Sequence, residues 1–549
     1  MVNTTYEFPR SIWRIGRWVG PSLAIPVALW ACTSHPLSQP DPQPEQLTDA
    51  TILVAPMRHL DLLFMIDNSP SMGPKQDKMK EQFPKLIDAL RDPVDGKLPD
   101  LRVAILDSDL GSGTAHWCTG FEHHGDLGKF QVRDPAGCKV KPDALWLEYT
   151  HNEPVNFTGD VSIAFKCLAS GVGVEGCGFE HQLQALQWAF YLSGNESQWN
   201  FLRPEAYLGI VILTDEDDCS APMDSHMFDV FPPTESPSLR CATRGHQCSG
   251  ATLTYPTTAA VSVPWESCSA RDDATCDSSV DTSQATPCNP LSNIKTIADA
   301  VKGLKGTEAD DKILVAAIYG MPRAGDATVR PYKIDMNPNA YGNNAGYDYW
   351  PICYDPNHMP TSSGWDKAAA ENGAAGGLRI SAFLNQFNDK SRLAYSICES
   401  DFGPAMAGIG KTLRNKIDNL CVPFKLVDTS DEPGIQANCR IVDRIPRMVQ
   451  DSTGHWTQIY DESPNSIPRC QSTREPECWE VKFGNPNGTD DEKETATRCP
   501  AQPTVPSQMI NVLRKPGTTL VEGTKIRMQC RTCVDLTSHD LRPIEGCDY

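Results

Sequence analysis

Five mostly apolar runs, separated by stretches with helical periodicity, constrain the fold of this chain most. The runs are HLDLLFMID (59–67), LRVAILD (101–107), YLGIVILTD (207–215), KILVAAIYG (312–320) and RLAYSIC (392–398). Helical spacing of apolar residues is found at 79–90, 183–190, 291–304, 378–388 and 402–417. A strand that is buried on both faces has a continuous apolar sequence. The pattern therefore predicts an α/β fold with a doubly wound, mostly parallel sheet covered by helices on both faces.

This alternation runs through residues 58–417 with two long interruptions. The segments 216–290 and 321–376 are rich in Ser, Thr, Pro, Gly, Asn and Asp. Structureless loops of such length are unusual in a compact domain, so we expect disulfides to hold the first as a lobe. From 418 to 549 the alternation ends, and we predict a separate cysteine-rich region of mostly short strands and turns.

The N-terminus has the pattern of an exported protein. Three arginines precede a mostly apolar stretch at 18–31, which is shorter than the roughly 20 apolar residues that span a bilayer. The following LWAC (29–32) resembles a bacterial lipobox, which implies lipidation of Cys32 and a membrane anchor without a transmembrane helix. Residues 1–32 are thus predicted to be a lipoprotein signal peptide, and 33–57 a flexible tether. Ordinary signal cleavage or an uncleaved anchor remain alternatives.

The cysteines support export independently. Apart from Cys32 there are twenty, and they fall into even local groups: 118, 138, 167 and 177; 219, 241, 248, 268, 276 and 288; 353 and 398; and eight between 421 and 547. Even local counts predict up to ten disulfides formed in an oxidising compartment. The alternative is a zinc site at CRTC (530–533), but a single CxxC lacks the second ligand pair that such sites need.

Charge and the absence of catalytic motifs exclude several functions. The chain has 49 Lys and Arg against 70 Asp and Glu, a formal net charge of -21, which argues against a nucleic-acid partner. GIGKT (408–412) lacks the first glycine of a phosphate-binding loop, so we expect no nucleotide and assign the segment to a helix. Neither GxSxG nor HExxH occurs. We therefore predict that the protein is not an enzyme.

Acidic and hydroxyl side chains follow two of the predicted strands. DNSPSM begins where the first run ends and places Asp67, Ser69 and Ser71 at alternate positions, while Asp215 ends the run at 207–215. Ligands bind at the carboxyl ends of strands in open α/β sheets, and oxygen atoms are what hard divalent cations prefer. The pattern predicts a metal site. Helix capping is the alternative, but it explains only one hydroxyl.

In these residues the chain resembles the von Willebrand factor A domain, whose metal-ion-dependent adhesion site has the motif DxSxS, a distant Thr, and an Asp after a buried strand. The resemblance covers 58–417 and implies Asp67, Ser69, Ser71 and Asp215 as ligands of Mg²⁺, with Ca²⁺ or Mn²⁺ possible. The turn that should supply the Thr, GCGFEHQLQAL (176–186), contains none. Glu180 is its nearest oxygen ligand, and it either replaces the hydroxyl or complements the dipole of the following helix.

Two further acids follow the second predicted strand. Asp107 and Asp109, in ILDSDLGSG, either tune the metal site from outside its ligand shell or are solvated loop residues. The resemblance implies a cell-envelope lipoprotein, in the periplasm or on the cell surface, whose bound cation accepts a carboxylate from a protein or other acidic ligand. Two alternatives stay open: an envelope scaffold in which the metal only stabilises the domain, and a secreted enzyme with an unrecognised site at 418–549.

Overall fold

A computed structural model describes most of the chain from residue 47 onward, and residues Leu47–Tyr549 form one compact unit. The described residues are 47–53, 58–93, 96–112, 125–228, 236–253, 259–271, 290–323, 331–341, 344–358, 372–417, 421–429, 436–450, 456–470, 477–503, 505–515, 521, 524–533 and 547. The predicted signal peptide, Cys32 and the predicted tether up to residue 46 lie outside these ranges.

The strands are numbered in chain order. They are β1 Leu47–Leu53, β2 His59–Ile66, β3 Asp100–Asp107, β4 Leu147–Thr150, β5 Glu153–Pro154, β6 Tyr207–Leu213, β7 His246–Cys248, β8 Val261–Val263, β9 Cys268–Ala270, β10 Ile313–Tyr319, β11 Tyr332–Tyr341, β12 Asn344–Tyr349, β13 Cys353–Tyr354, β14 Gly373–Ala374, β15 Arg392–Ser396, β16 Cys439–Gln450, β17 Trp456–Ile467, β18 Cys478–Phe483, β19 Gln508–Leu513 and β20 Lys525–Arg531.

The helices are numbered likewise. They are α1 Gly73–Leu90, α2 Val161–Gly171, α3 Gln182–Tyr191, α4 Pro237–Gly245, α5 Ile294–Gly303, α6 Ala309–Lys312, α7 Leu378–Leu384, α8 Gly403–Ile417 and α9 Asp490–Arg498. Within the described part of the chain, no helix combines the length and the apolar character needed to cross a bilayer.

The central sheet confirms the predicted α/β fold. It has seven strands in the order β15-β10-β6-β2-β3-β4-β5. All five predicted runs form strands of this sheet, and they pair in parallel from β15 to β3. The short strands β4 and β5 add an antiparallel edge that the sequence did not predict. The winding reverses on either side of β2, so the carboxyl end of β2 is where a ligand site is expected.

Alternate side chains of the central strands pack on the two helical layers. On β2, Leu62 and Phe64 join a core with α1, α2 and α8, whereas Leu63 and Met65 join a core with α3, α5 and α7. Strands β6 and β10 are buried along their whole length, which is why their sequences are continuously apolar.

The two interruptions form one common lobe. Strand β8 from the first pairs with β11 from the second, and β12 completes a three-stranded sheet. Disulfides Cys219–Cys241 and Cys248–Cys268 hold the first interruption, as expected. The chain continues from β6 into this lobe, so the lobe lies beside the carboxyl end of that strand.

The C-terminal region is built around a second sheet, and two predictions about it need correction. The prediction of short strands is wrong for β16 and β17, which have 12 residues each, whereas β18, β19 and β20 have 6, 6 and 7 residues. Its four-stranded sheet has the order β1-β20-β16-β17, and β1 pairs antiparallel with β20 along its length. The tether predicted for 33–57 is therefore wrong over Leu47–Leu53, because those residues are a strand of this sheet.

Eight disulfides join described cysteines, and every pair lies within one of the predicted local groups. They are 138–167, 219–241, 248–268, 353–398, 421–499, 439–530, 470–478 and 533–547. The alternative of a zinc site at 530–533 is wrong, because Cys530 and Cys533 belong to different disulfides. Such a number of disulfides is typical of oxidising compartments and indicates an exported protein.

Candidate functional site

The loop after β2 brings the first three predicted ligands together. Asp67 and Ser69 are buried, the Ser69 amide donates to Asp67 Oδ1 (2.8 Å), and the Ser69 and Ser71 hydroxyl oxygens lie 3.2 Å apart. Neither serine side chain makes a capping hydrogen bond to the 3-10 turn at Pro70–Met72 or to α1. Helix capping therefore does not explain these hydroxyls.

The end of β6 faces this loop. The Asp67 amide donates to the Leu213 carbonyl (2.9 Å), and the Thr214 hydroxyl donates to Asp67 Oδ2 (2.7 Å). Gln182 in α3 donates to the same hydroxyl (2.7 Å) and thereby ties α3 to the site. Thr214 was not among the predicted site residues, although it directly precedes Asp215 in VILTDEDD. Its position next to a predicted ligand at the end of a strand was the available signal.

Asp215 is buried beside this group but already has a cationic partner. Its Oδ2 forms an ion pair with Lys75 Nζ, and both side chains are 3% exposed. Lys75 also donates to the Ser71 carbonyl (3.3 Å). No prediction included Lys75. Its position in the first turn of α1, four residues after Ser71, could have placed its side chain near the site.

Glu180 lies beside Asp67 and also directly before His181, the N-cap residue of α3, so its position fits both interpretations. It is buried, and its Oε2 accepts a hydrogen bond from the Ser108 hydroxyl. Burial raises its pKa well above the ordinary value, and the negative charges of Asp67 and Glu216 add to the effect. Its Oε1 is buried without a hydrogen-bond partner.

In the described part of the chain, the acids of the site, which are Asp67, Glu180, Asp215 and Glu216, outnumber the ammonium groups in contact with them, of which Lys75 provides one. Burial, followed by repulsion from Asp215, raises the pKa of Asp67 to about 6. Burial and repulsion from Asp215 and Asp67 raise the pKa of Glu216 to about 8, although the hydroxyl of Ser238 donates to Glu216 (2.8 Å). A buried cluster of this kind takes up either protons or a cation.

The donor set fits a hard divalent cation in part. Hydroxyl and carboxylate oxygens are present, and Asp215 Oδ1 and Glu180 Oε1 are buried without partners. Among the described residues, however, no group of three or more His, Cys, Asp or Glu side chains is arranged to hold a metal ion. A cation here would need the serine hydroxyls as ligands and would compete with Lys75 for Asp215.

Asp107 and Asp109 are buried, so their interpretation as solvated loop residues is wrong. Asp109 Oδ1 accepts from the Gly111 amide (2.8 Å). Burial and the charge of Asp126 raise the pKa of Asp107 well above its ordinary value, and Arg133 lies 3.9 Å from it. Ser108, between the two acids, contacts Glu180.

The assignment of GIGKT to a helix is confirmed. Residues 408–412, GIGKT, lie within helix α8, Gly403–Ile417, and Thr412 donates to the Gly408 carbonyl (2.9 Å) of that helix. The segment therefore has no free loop amides that could surround a phosphate.

Comparisons with known proteins give distant structural similarities only. No protein family matches the sequence, and no curated protein matches it. A von Willebrand factor type A protein from Catenulispora acidiphila has 10% identity and a TM-score of 0.25 over 88% of this chain and 64% of that one. The pilus adhesin SpaC from Lactobacillus rhamnosus GG has 9% identity and a TM-score of 0.28 over 90% of this chain and 42% of that one. This chain thus spans less than two thirds of either protein. The description of the fold is based on the strand order of this chain and not on these similarities.

Proposed function

We propose that this protein is an exported binding protein whose site at the ends of β2 and β6 takes up a divalent cation, Mg²⁺ in the first place and Ca²⁺ or Mn²⁺ as alternatives. The observation that carries the proposal is the convergence of Asp67, Ser69 and Ser71 at the switch point of the sheet. Asp215 and Glu180 lie next to them, each with a buried oxygen that lacks a hydrogen-bond partner.

A bound divalent cation would supply a concentrated positive charge to which a carboxylate of a protein ligand can bind. Asp67, Ser69 and Ser71 would hold the cation, with Asp215 and Glu180 close by. The insertion lobe supports a recognition role, because Ser238 in α4 contacts Glu216 and the Ala375 amide donates to the Asp215 carbonyl (2.8 Å). These contacts support the proposal that the lobe takes part in selecting the ligand.

The proposal includes anchoring by lipidation of Cys32 in a bacterial membrane, and no catalytic activity. A mass measurement on the first peptide of the mature protein tests the anchor, because lipidation adds acyl chains to Cys32. A mature protein that begins at another residue and carries no acyl chains would contradict the anchor and support ordinary signal cleavage.

Titration calorimetry tests the cation. The soluble protein from residue 33 is titrated with Mg²⁺, Mn²⁺ and Ca²⁺, together with the variants Asp67→Asn and Asp77→Asn. We expect Asp67→Asn to abolish the binding heat and Asp77→Asn to leave it unchanged, because Asp77 is on the exposed face of α1 and 69% exposed. Equal heats from the parent and Asp67→Asn would refute the site.

One observation favours a second candidate, a scaffold in which the site is structural. The ion pair of Lys75 with Asp215 already neutralises one ligand of the proposed cation. If a partner is found and its binding persists in a chelator, the scaffold is supported; if the chelator abolishes it, the adhesive role is supported.

A further inference from the structure

The ammonium of Lys75 is placed where it can exclude another cation from the site. A buried lysine is costly unless it is paired, and here its partner is Asp215, the one ligand that β6 would give to the proposed cation. The second contact of Lys75, to the carbonyl of Ser71, holds the ammonium on the loop that carries the hydroxyl ligands. Lys75 thus contacts both halves of the site.

The remaining charge leaves room for a cation even with Lys75 present. Burial acts on Asp67, Glu180 and Glu216; Asp215 repels Asp67 and Glu216, and these two repel Glu180. A single ammonium does not neutralise them. Asp215 Oδ1 and Glu180 Oε1 are buried without a hydrogen-bond partner, so each could accept a contact from a cation. A dication that used these oxygens would lie close to the ammonium, and like charges at such a distance repel strongly when buried.

We propose that Lys75 is an internal competitor for the divalent cation: its ammonium pairs with Asp215 and must leave that carboxylate before the cation binds fully. The inference rests on the proposed function of the site. It implies that Lys75 sets the cation concentration at which the site fills, so that ligand binding begins only above that threshold.

Removal of the ammonium tests the proposal. Mn²⁺ is titrated into the protein from residue 33, and the free ion is measured by electron paramagnetic resonance. Lys75→Met keeps the length of the side chain without the charge, and Lys75→Gln is a polar second variant in case the first does not fold. Both should bind Mn²⁺ at least about tenfold more tightly than the parent, because the repulsion and the competition for Asp215 are gone.

Lys78→Met is the matched control. Lys78 lies three residues further along α1, and its ammonium forms an ion pair with the buried Asp355 instead of with a site residue. This variant loses the same charge and also removes the lysine partner of a buried carboxylate. Its affinity for Mn²⁺ should stay within about twofold of the parent, because its charge is not in contact with the site.

The outcomes separate this inference from the function on which it rests. Equal or weaker binding by the Lys75 variants, with binding by the parent, would overturn the competition and leave the cation site intact. An absence of Mn²⁺ binding in parent and variants alike would overturn both. Binding by the Lys75 variants together with weak or undetectable binding by the parent would support the inference directly.

Discussion

Buried acids at the carboxyl ends of β2 and β6 are the central feature at the scale of single residues. Desolvation disfavours each carboxylate, and each neighbouring carboxylate disfavours it further. Among the described residues, the ammonium of Lys75 pairs with Asp215 and the hydroxyl of Thr214 donates to Asp67. These two contacts do not balance the charge that the acids carry when all are ionised. Such a surplus is unfavourable for a core and is useful only if a proton or a cation joins it.

This surplus predicts how stability depends on pH without metal. A carboxyl whose pKa is raised by folding stabilises the protein when it is protonated, and this contribution is lost as the pH rises through the folded-state value. The pKa of Asp67 is raised to about 6 and that of Glu216 to about 8. In a chelator, the free energy of unfolding should therefore fall between pH 4 and 8, by about 3 kcal/mol from Asp67 alone.

Urea unfolding at successive pH values measures this loss. Glu216→Gln keeps an acceptor for the hydroxyl of Ser238 but cannot ionise, so the decline should become shallower in this variant. An excess of Mg²⁺ should flatten the decline as well, because a cation that binds only the folded state replaces the protons. A profile in chelator that is flat for the parent would show that the acids are not crowded as described.

Sequence reasoning predicted the residues that a motif contains and missed those that only the fold brings in. Asp67, Ser69 and Ser71 are neighbours in the chain, and the burial of the strand before them fixes where they lie. Lys75 and Ser108 are ordinary polar residues in the sequence. Their contacts with Asp215 and Glu180 arise from the packing of α1 and β3, which no local pattern encodes.

At the scale of elements, the strongly periodic segments were predicted and the weakly periodic ones were not. The parallel strands β2, β3, β6 and β10 have apolar sequences because both faces are buried, whereas the edge strand β15 is only partly buried. Helix α2, which contains Cys167, was not predicted from the sequence. Asp160 caps its N-terminus by accepting hydrogen bonds from two backbone amides. The edge strands β4 and β5 are short and partly exposed, so their alternation is too brief to recognise.

The turn at 173–176 shows how one element positions another. The Gly176 amide donates to the carbonyl of Asn68 (2.8 Å), and Asn68 lies between Asp67 and Ser69 in the site loop. A Cβ atom on residue 176 would lie 2.1 Å from Asn68 Oδ1, which only glycine avoids. The glycine-rich turn thus lets the backbone approach the ligand loop directly.

We therefore predict that Gly176→Ala displaces Asn68 and weakens both folding and cation binding. The cost to the free energy of unfolding should be about 1 to 3 kcal/mol, as for other overpacked sites. Gly178→Ala is the control, because a Cβ there meets only Pro237 Cγ at 3.7 Å, and it should be neutral or slightly stabilising. Similar effects from the two substitutions in urea unfolding and Mn²⁺ titration would contradict this account of the turn.

At the scale of the whole molecule, the site and the C-terminal sheet lie at opposite ends of the central sheet. The site follows the last residues of β2 and β6, and the insertion lobe adjoins it there. The C-terminal sheet contacts the other end: Gln458 in β17 accepts from Lys312 (3.1 Å), which directly precedes β10. The contact between β17 and the start of β10, and the pairing of β1 with β20, both join segments that are far apart in the chain. They could therefore not be predicted from local sequence.

The second contact at that end is an ion pair that should stabilise the molecule without affecting the site. Arg498, in α9, binds Asp92 (2.9 Å) just beyond the end of α1, and the two side chains are 17% and 6% exposed. Arg498→Ala removes the ion pair at 2.9 Å, whereas Arg58 lies further from Asp92, at 3.8 Å. We expect a loss of about 1 to 3 kcal/mol in the free energy of unfolding, because a largely buried carboxylate loses its arginine contact at 2.9 Å.

Arg447→Ala provides the comparison, because Arg447 and Asp461 form an ion pair of the same length (2.9 Å) between two strands of the C-terminal sheet, with both side chains more than half exposed. That substitution should cost less than about 0.5 kcal/mol. Because both arginines are far from the ends of β2 and β6, neither variant should change the affinity for Mn²⁺. A change in cation affinity with Arg498→Ala would mean that α9 of the C-terminal region is coupled to the site through α1, the helix that begins at the ligand loop and ends beside Asp92.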